Sequence, residues 1–278
     1  MDKNILEKLH AEQIKILNEF DRICTKYNLT YFLVGGTLLG AVRHKGFIPW
    51  DDDLDVSMPR EDYEKLIKVC QQDLQNDFYI DYYNNNKSYY KPFAKMKLRG
   101  TTFIEKDTQN VASNQEIWVD IFPLDYLKDD KKAQKQKYYI DKIHNIALTK
   151  GKVNVRLSKI KKLIVNVFFG VYSNSTLIKI IEKIMKRQNK IFDKKYYVNF
   201  GSQYGIKKQT HLIEKYYPIK KIDFEGKKYN VPNDYDYVLK KIYGNNYMEL
   251  PPIEKRVTHN PVKIVFSDGE EVTFNEKV

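Results

Sequence analysis

The chain has 278 residues, 42% of them hydrophobic and 30% charged, which is enough to bury a core and too apolar for a disordered polymer. Its two cysteines, Cys24 and Cys70, stand in apolar helical patterns with no Cys-x-x-Cys spacing, which excludes a disulfide framework or a zinc knuckle and points to buried free thiols in a reducing compartment. The net charge is +12, but positions 128–195 hold 19 Lys and Arg against 5 Asp and Glu, while the rest of the chain holds 29 against 31, so the whole surplus lies in one segment.

Residues 2–27 read as one amphipathic helix, with Ile5, Leu6, Leu9, Ile16, Leu17 and Phe20 near helical spacing and no signal-peptide apolar run. Tyr31 to Val34 reads as a short buried strand that ends at Gly35-Gly36. Thr37 then caps a helix running through Leu38, Leu39 and Val42. Gly46-Phe47-Ile48-Pro49 breaks that helix and leads into Trp50-Asp51-Asp52-Asp53-Leu54-Asp55-Val56. The end of this stretch alternates, so Leu54 and Val56 share one face and Asp53 and Asp55 the other. Pro59 suits the first turn of a helix from Glu61 to Cys70. Further strands are expected at Phe78–Tyr83, Phe93–Leu98, Thr102–Glu105 and Ile117–Phe122, with Pro123 stopping the last.

Three segments follow from this pattern: a mixed α/β catalytic core over 1–127, a basic and mostly helical insert over 128–200, and a C-terminal part, 201–278, that completes the catalytic domain. Within the insert, Thr176 to Phe192 places Leu177, Ile180, Ile181, Ile184 and Ile191 on one helical face. Beyond it, Ile222 to Val231 reads as a hairpin turning at Glu225-Gly226, and Asp234 to Tyr243 as a short helix ended by Gly244. The longest apolar run, Leu163 to Tyr172, falls far short of the ~20 residues that span a bilayer. A cytoplasmic protein is expected, with peripheral contact at the inner face of the membrane left open. The insert has three readings: a solvated helical face, a dock for an anionic membrane with Leu163–Tyr172 as its wedge, or a binding module for an anionic polymer. No nucleic-acid-binding motif accompanies the charge.

The chemistry concentrates on carboxylates. Asp51, Asp52, Asp53 and Asp55 crowd into five positions, which is costly unless a cation compensates, and oxygen-only ligands suit Mg²⁺ or Mn²⁺. Upstream, Val34-Gly35-Gly36-Thr37 is a strand–glycine–helix turn whose backbone can approach a phosphate. Downstream, Asp120 interrupts the apolar run Trp118-Val119-Asp120-Ile121-Phe122, and a buried carboxylate there needs a metal or a basic partner. Together these features point to metal-dependent phosphoryl transfer.

Gly35-Gly36-Thr37-Leu38-Leu39-Gly40, followed by Arg43-His44 and Gly46 to Asp55, resembles the signature of the LicD family, which includes bacterial phosphocholine transferases and is related to fukutin and fukutin-related protein. Trp118 to Asp125 and Tyr243 to Arg256 resemble further motifs of that family. The resemblance implies a nucleotidyltransferase-like mixed sheet flanked by helices. It also implies transfer of a substituted phosphate, phosphocholine first, from a CDP-linked donor to a sugar hydroxyl of a glycan, teichoic acid or lipopolysaccharide, with release of CMP. Glycerol phosphate, ribitol phosphate and true nucleotidyl transfer are the alternatives. By position, Asp53 and Asp55 form the D-x-D pair and Asp120 is the third carboxylate, as catalytic residues and as ligands of Mg²⁺ or Mn²⁺. Fukutin-related protein carries a zinc-binding loop; this chain has no matching cysteine cluster, so no zinc is expected.

Substrate-binding candidates follow from the same motifs. Gly36 and Thr37 would hold phosphate oxygens, Arg43 a phosphate, and Trp50 a base or a choline ammonium. His44 would pack or bond the tight loop. Lys95, Lys97 and Arg99 alternate on one strand face, with Lys97 taken as the representative contact. Arg256 and His259 lie in or just after the C-terminal motif, within possible reach of the site. His10, His144 and His211 are expected to pack.

Overall fold

The computed structural model describes residues 1–111, 115–129, 131–154, 170–256 and 258–274, together with positions 158, 165 and 167. It is a mixed α+β protein. The first helix, α1 (Lys3–Lys26), is capped by the Asp2 carboxylate, which accepts from Asn4 N at 2.9 Å. Its stripe of Leu6, Leu9, Ile16, Leu17, Phe20 and Ile23 is buried against the main sheet.

That sheet is built from β1 (Phe32–Leu33), β2 (Asp55–Pro59), β3 (Phe78–Asp81), β4 (Ala94–Leu98) and β6 (Trp118–Leu127) in the order β1-β2-β6-β4-β3. The β2–β6 pair is parallel and the others are antiparallel. Helices α2 (Gly35–His44) and α3 (Arg60–Asp73) flank β2 in sequence. The C-terminal half of β6 is extended by β7 (Tyr196–Val198) and β8 (Thr210–Leu212). Strand β5 (Thr102–Glu105) joins β11 (Pro261–Val265) and β12 (Glu271–Thr273) in a small second sheet. The hairpin β9 (Lys220–Phe224) and β10 (Lys227–Val231) turns at Glu225-Gly226, both at positive φ, as its sequence predicts.

Two local expectations are corrected. Pro123 does not stop β6, which runs on to Leu127. Asp120 N donates to Leu54 O on the β2 side, so by alternation the nitrogen of residue 123 faces the opposite flank. There the β4 pairing ends at Ile121 and the β7 pairing starts at Asp125, so no ladder bond is lost at the proline. Thr37 is not the cap of α2. Val34 occupies that position, and the buried Thr37 hydroxyl instead accepts from Asp55 N at 2.8 Å, tying α2 to β2.

Within 128–200, α4 (Lys131–Lys150) and α5 (Asn174–Met185) pack around Ala133, Ile140, Ala147, Leu177, Ile178, Ile181 and Ile184. Ile180, assigned to the buried face from its spacing, is exposed, and Ile178 takes that place. The segment is not all helix, since it ends in β7. Half of Leu163–Tyr172 (positions 163, 164, 166, 168 and 169) lies outside the described residues. Arg60 of α3 locks the two parts together: it donates to both Asp125 carboxylate oxygens at 2.8 and 2.7 Å and to Glu182 of α5 at 3.0 Å. Among the described residues, no helix is long and apolar enough to cross a membrane.

Candidate active site

Strand register assembles the centre. Asp55 of β2 stands beside Asp120 of β6, Asp120 beside Lys95 of β4, and Lys95 beside Asp81 of β3. Side chains in register share a face, so one row of charged groups crosses the sheet. Within it Lys95 Nζ lies 2.9 Å from Asp120 Oδ1 and 3.7 Å from the centre of the Trp118 ring. The basic partner that a buried Asp120 requires is therefore Lys95.

The loop before β2 is fixed from behind by α1 and by the β9–β10 hairpin. The His10 ring stacks on Phe47 at 3.6 Å, and His10 Nε2 is 2.8 Å from Asp51 O. Gln13 Nε2 donates to Asp52 O at 2.8 Å, and Phe47 N donates to the Glu225 carboxylate at 3.0 Å. The loop therefore comes back against the N-terminus of α2, where the two glycines are needed. Gly35 has φ +56°, and an added Cβ would lie 2.9 Å from Asp55 Oδ2; a Cβ on Gly36 would lie 2.4 Å from Asp51 Oδ2. The close approach these glycines permit is that of the carboxylates.

The result is an unbalanced concentration of negative charge. Burial, then the charges of Asp53 and Asp52, holds Asp51 well above the usual carboxylate range. Burial, then Asp53 and Asp120, does the same for Asp55. Asp53 is also raised, by burial first and by Asp120, although the nearby His259 opposes the shift. His259 Nδ1 lies 2.8 Å from Asp52 Oδ1, and His259 N donates to the same carboxylate. Burial disfavours charge on this ring, but the Asp52 bond and the Asp53 charge outweigh it and lift its pKa to about 10. Crowded carboxyl oxygens with raised pKa values are the donor chemistry that fits a hard divalent cation.

Two clefts meet over these groups. One, of about 460 Å³, is lined by polar side chains including Lys91, Asp141, Asn199, Gln203 and Gln209, and reaches Asp120. The other, of about 550 Å³, is walled by Trp50, Tyr204, Tyr243, Tyr247, Leu250 and Pro251. Both reach Asp53, Asp55, Gln203, Tyr204 and His259.

The other expected site residues divide. Gly36, Arg43 and Trp50 line the aromatic cleft. Arg43 is committed to structure: it donates to Tyr247 O at 3.0 Å, to Glu249 O at 3.1 Å and to His44 Nε2 at 2.9 Å. Burial and the adjacent Arg43 pull the His44 pKa down, as suits a neutral acceptor. The Arg256 guanidinium lies over the Trp50 ring at 4.2 Å and donates to Pro251 O at 3.2 Å. Thr37 is withdrawn into the packing, as described above. Lys97 is not brought to the centre; it is buried and ion-paired with Asp81 at 2.6 Å. It points to the same side as Lys95, but one register step away from Asp120. The sequence names Lys95 only as a strand-mate of Lys97 and His259 only as within reach of the site; it gives neither their partners, Asp120 and Asp52, nor the members of the tyrosine wall. Only the C-terminal motif gave a signal for His259.

Residues 28–144 match a family model described as LicD/FKTN/FKRP, nucleotidyltransferase domain. Those residues of the chain carry a LicD-family domain. Over 271 residues it is 28% identical to the lipopolysaccharide cholinephosphotransferase LicD of Haemophilus influenzae, an alignment covering 94% of this chain and 97% of that protein. An uncharacterized protein of Rickettsia prowazekii is 40% identical over 68 residues, 24% of this chain and 26% of that one. One of Rickettsia typhi is 38% identical over 85 residues, 31% of this chain and 26% of that one. The family domain spans β1 to the middle of α4, and so contains Asp53, Asp55 and Asp120 but not His259.

Proposed function

We propose that this chain transfers phosphocholine from CDP-choline to a sugar hydroxyl of a cell-surface glycan, lipopolysaccharide first, and releases CMP. The single observation that carries the reading is that an aromatic cleft and a polar cleft meet at Asp53 and Asp55. A nucleotide-linked donor suits the first. Tyr204, Tyr243 and Tyr247 offer ring faces to a quaternary ammonium or a base, while Arg256 already covers Trp50. A glycan suits the second, where amide and carboxylate side chains match sugar hydroxyls. The near full-length similarity to a cholinephosphotransferase favours choline over glycerol or ribitol as the cargo.

In this reading Asp53, Asp55 and Asp120 would hold Mg²⁺ or Mn²⁺, which supplies positive charge against the phosphate oxygens of the donor. The acceptor hydroxyl oxygen attacks the distal phosphorus, and the bond from that phosphorus to the CMP oxygen breaks. Asp120 faces the polar cleft, where it either completes the metal site or, with the ion left to Asp53 and Asp55, takes the hydroxyl proton. Lys95 positions it. The test is a panel of CDP-choline, CDP-ethanolamine, CDP-glycerol and CDP-ribitol with Mg²⁺ and a glycan acceptor, followed by CMP release. CMP from CDP-choline alone supports the reading; pyrophosphate release from a nucleoside triphosphate would replace it with nucleotidyl transfer.

A further inference from the structure

The Asp52–His259 pair has no part in the mechanism above, yet it is built with care. Asp52 has a fully buried side chain, and both of its carboxylate oxygens are taken by His259: the backbone N–H reaches them at 3.1 and 3.0 Å, and Nδ1 lies 2.8 Å from Oδ1. The carboxylate therefore keeps a proton on Nδ1 and fixes the ring plane, so that an ion bound at Nε2 displaces only the Nε2 proton. The other ring nitrogen, Nε2, points at Asp53 Oδ2 from 3.7 Å. That gap is too long for a hydrogen bond. It is the right span for two ligands that each sit about 2.1 Å from one shared ion.

A carboxylate on one imidazole nitrogen with the second nitrogen turned toward an acidic centre is the arrangement that orients histidines as metal ligands. Asp52, Asp53 and His259 each bring a ligand atom within 4.8 Å of the others. Asp52 is spent on His259, however, so the available donors are Asp53 and His259, with Asp55 beside them.

We propose that His259 Nε2 is a nitrogen ligand of the metal centre, oriented by Asp52, and that the site consequently prefers Mn²⁺ to Mg²⁺. The inference rests on reading the carboxylates as a metal site. It adds a donor from outside the family domain, carried in by the residues just before β11. Imidazole nitrogen raises affinity for first-row transition ions but does little for Mg²⁺, which favours oxygen. The C-terminal segment thus completes the centre that the D-x-D strand begins.

The test uses the full chain loaded with Mn²⁺ and requires no turnover. Electron spin-echo envelope modulation reads coupling from a directly bound ¹⁴N, and calorimetry reads affinity. The expected result is ¹⁴N modulation in the wild type, its loss in His259→Gln, and a fall in Mn²⁺ affinity of about tenfold or more in both His259→Gln and Asp52→Asn. Mg²⁺ affinity should change far less in both. Bound Mn²⁺ without ¹⁴N modulation in the wild type overturns the inference and leaves the phosphotransfer reading standing. Modulation that survives in His259→Gln overturns it as well. Absence of any Mn²⁺ or Mg²⁺ binding sinks the metal-site reading itself. Should a variant fail to fold, absence of ¹⁴N modulation in the wild type still overturns the inference.

Discussion

Asp55→Asn should abolish activity and yet stabilise the metal-free protein. Asp55 and Asp120 stand in register on neighbouring strands, which lie about 4.8 Å apart. Two carboxylates about 5 Å apart repel by about 3 kcal/mol at an effective dielectric constant of 20. Lys95, ion-paired to Asp120, and the charged His259 offset part of this. About 2 kcal/mol remains to be gained by neutralising Asp55, which for a chain of this length is a rise in Tm of roughly 3–4 °C. The sign follows from the direction of the shift. A carboxyl whose pKa is raised on folding costs nothing below its unfolded pKa, near 4, and costs progressively more as pH rises above it. The gain should therefore be present near pH 7.5 and absent near pH 4. The assay is thermal melting in EDTA and in saturating Mg²⁺. Mg²⁺ stabilises only the form that binds it, so the wild type should close the gap when the ion is added. A lower Tm for Asp55→Asn in EDTA at pH 7.5, or a gap that Mg²⁺ leaves unchanged, would refute the reasoning.

Asp53→Asn should eliminate CMP release while the circular dichroism spectrum stays that of the wild type; retained turnover would remove Asp53 from the centre. Arg60→Met should cost about 3–5 kcal/mol, because it strands the buried Asp125 carboxylate, and should lower Tm by roughly 5–8 °C. A loss under about 1 kcal/mol would mean that Arg60 does not lock α3, β6 and α5 together. His211 is buried, its Nδ1 has no hydrogen-bond partner among the described residues, and burial followed by Lys241 pulls its pKa down to about 3. A histidine held neutral in the fold loses stability as pH falls below its unfolded pKa near 6.5. Urea titrations should then give about 2 kcal/mol less at pH 5 than at pH 7.5 from this one group. His211→Phe should remove that difference, and an undiminished pH dependence in the variant would show that other groups cause it.

The elements nearest the centre were legible because their signals are local. Alternation of Asp53-Leu54-Asp55-Val56 marks a strand with one acidic face, and Glu225-Gly226 marks a hairpin turn. Lone Asp120 in an apolar run requires a partner whatever the fold. What the sequence left open depends on register between distant strands. Lys95 and Lys97 share a strand face and look equivalent in the sequence, but only Lys95 is opposite Asp120 once β4 has paired with β6. Pro123 looked like a terminator because its missing donor matters only if that flank is paired, and there it is not. Asp52 and His259 lie 207 residues apart, and no periodicity joins them. The glycine turn reads as a phosphate cradle in the sequence; what only the structure adds is the approach of Asp51 and Asp55 to it and the positive φ of Gly35.

The most direct test of the central claim is ³¹P NMR of the full chain with CDP-choline, Mg²⁺ and a lipopolysaccharide acceptor. CMP and a new phosphodiester signal on the glycan are expected, both lost in EDTA and in Asp53→Asn. CMP formation that persists unchanged in Asp53→Asn, or an intact CDP-choline signal beside a nucleoside triphosphate that is cleaved to pyrophosphate, would contradict that claim.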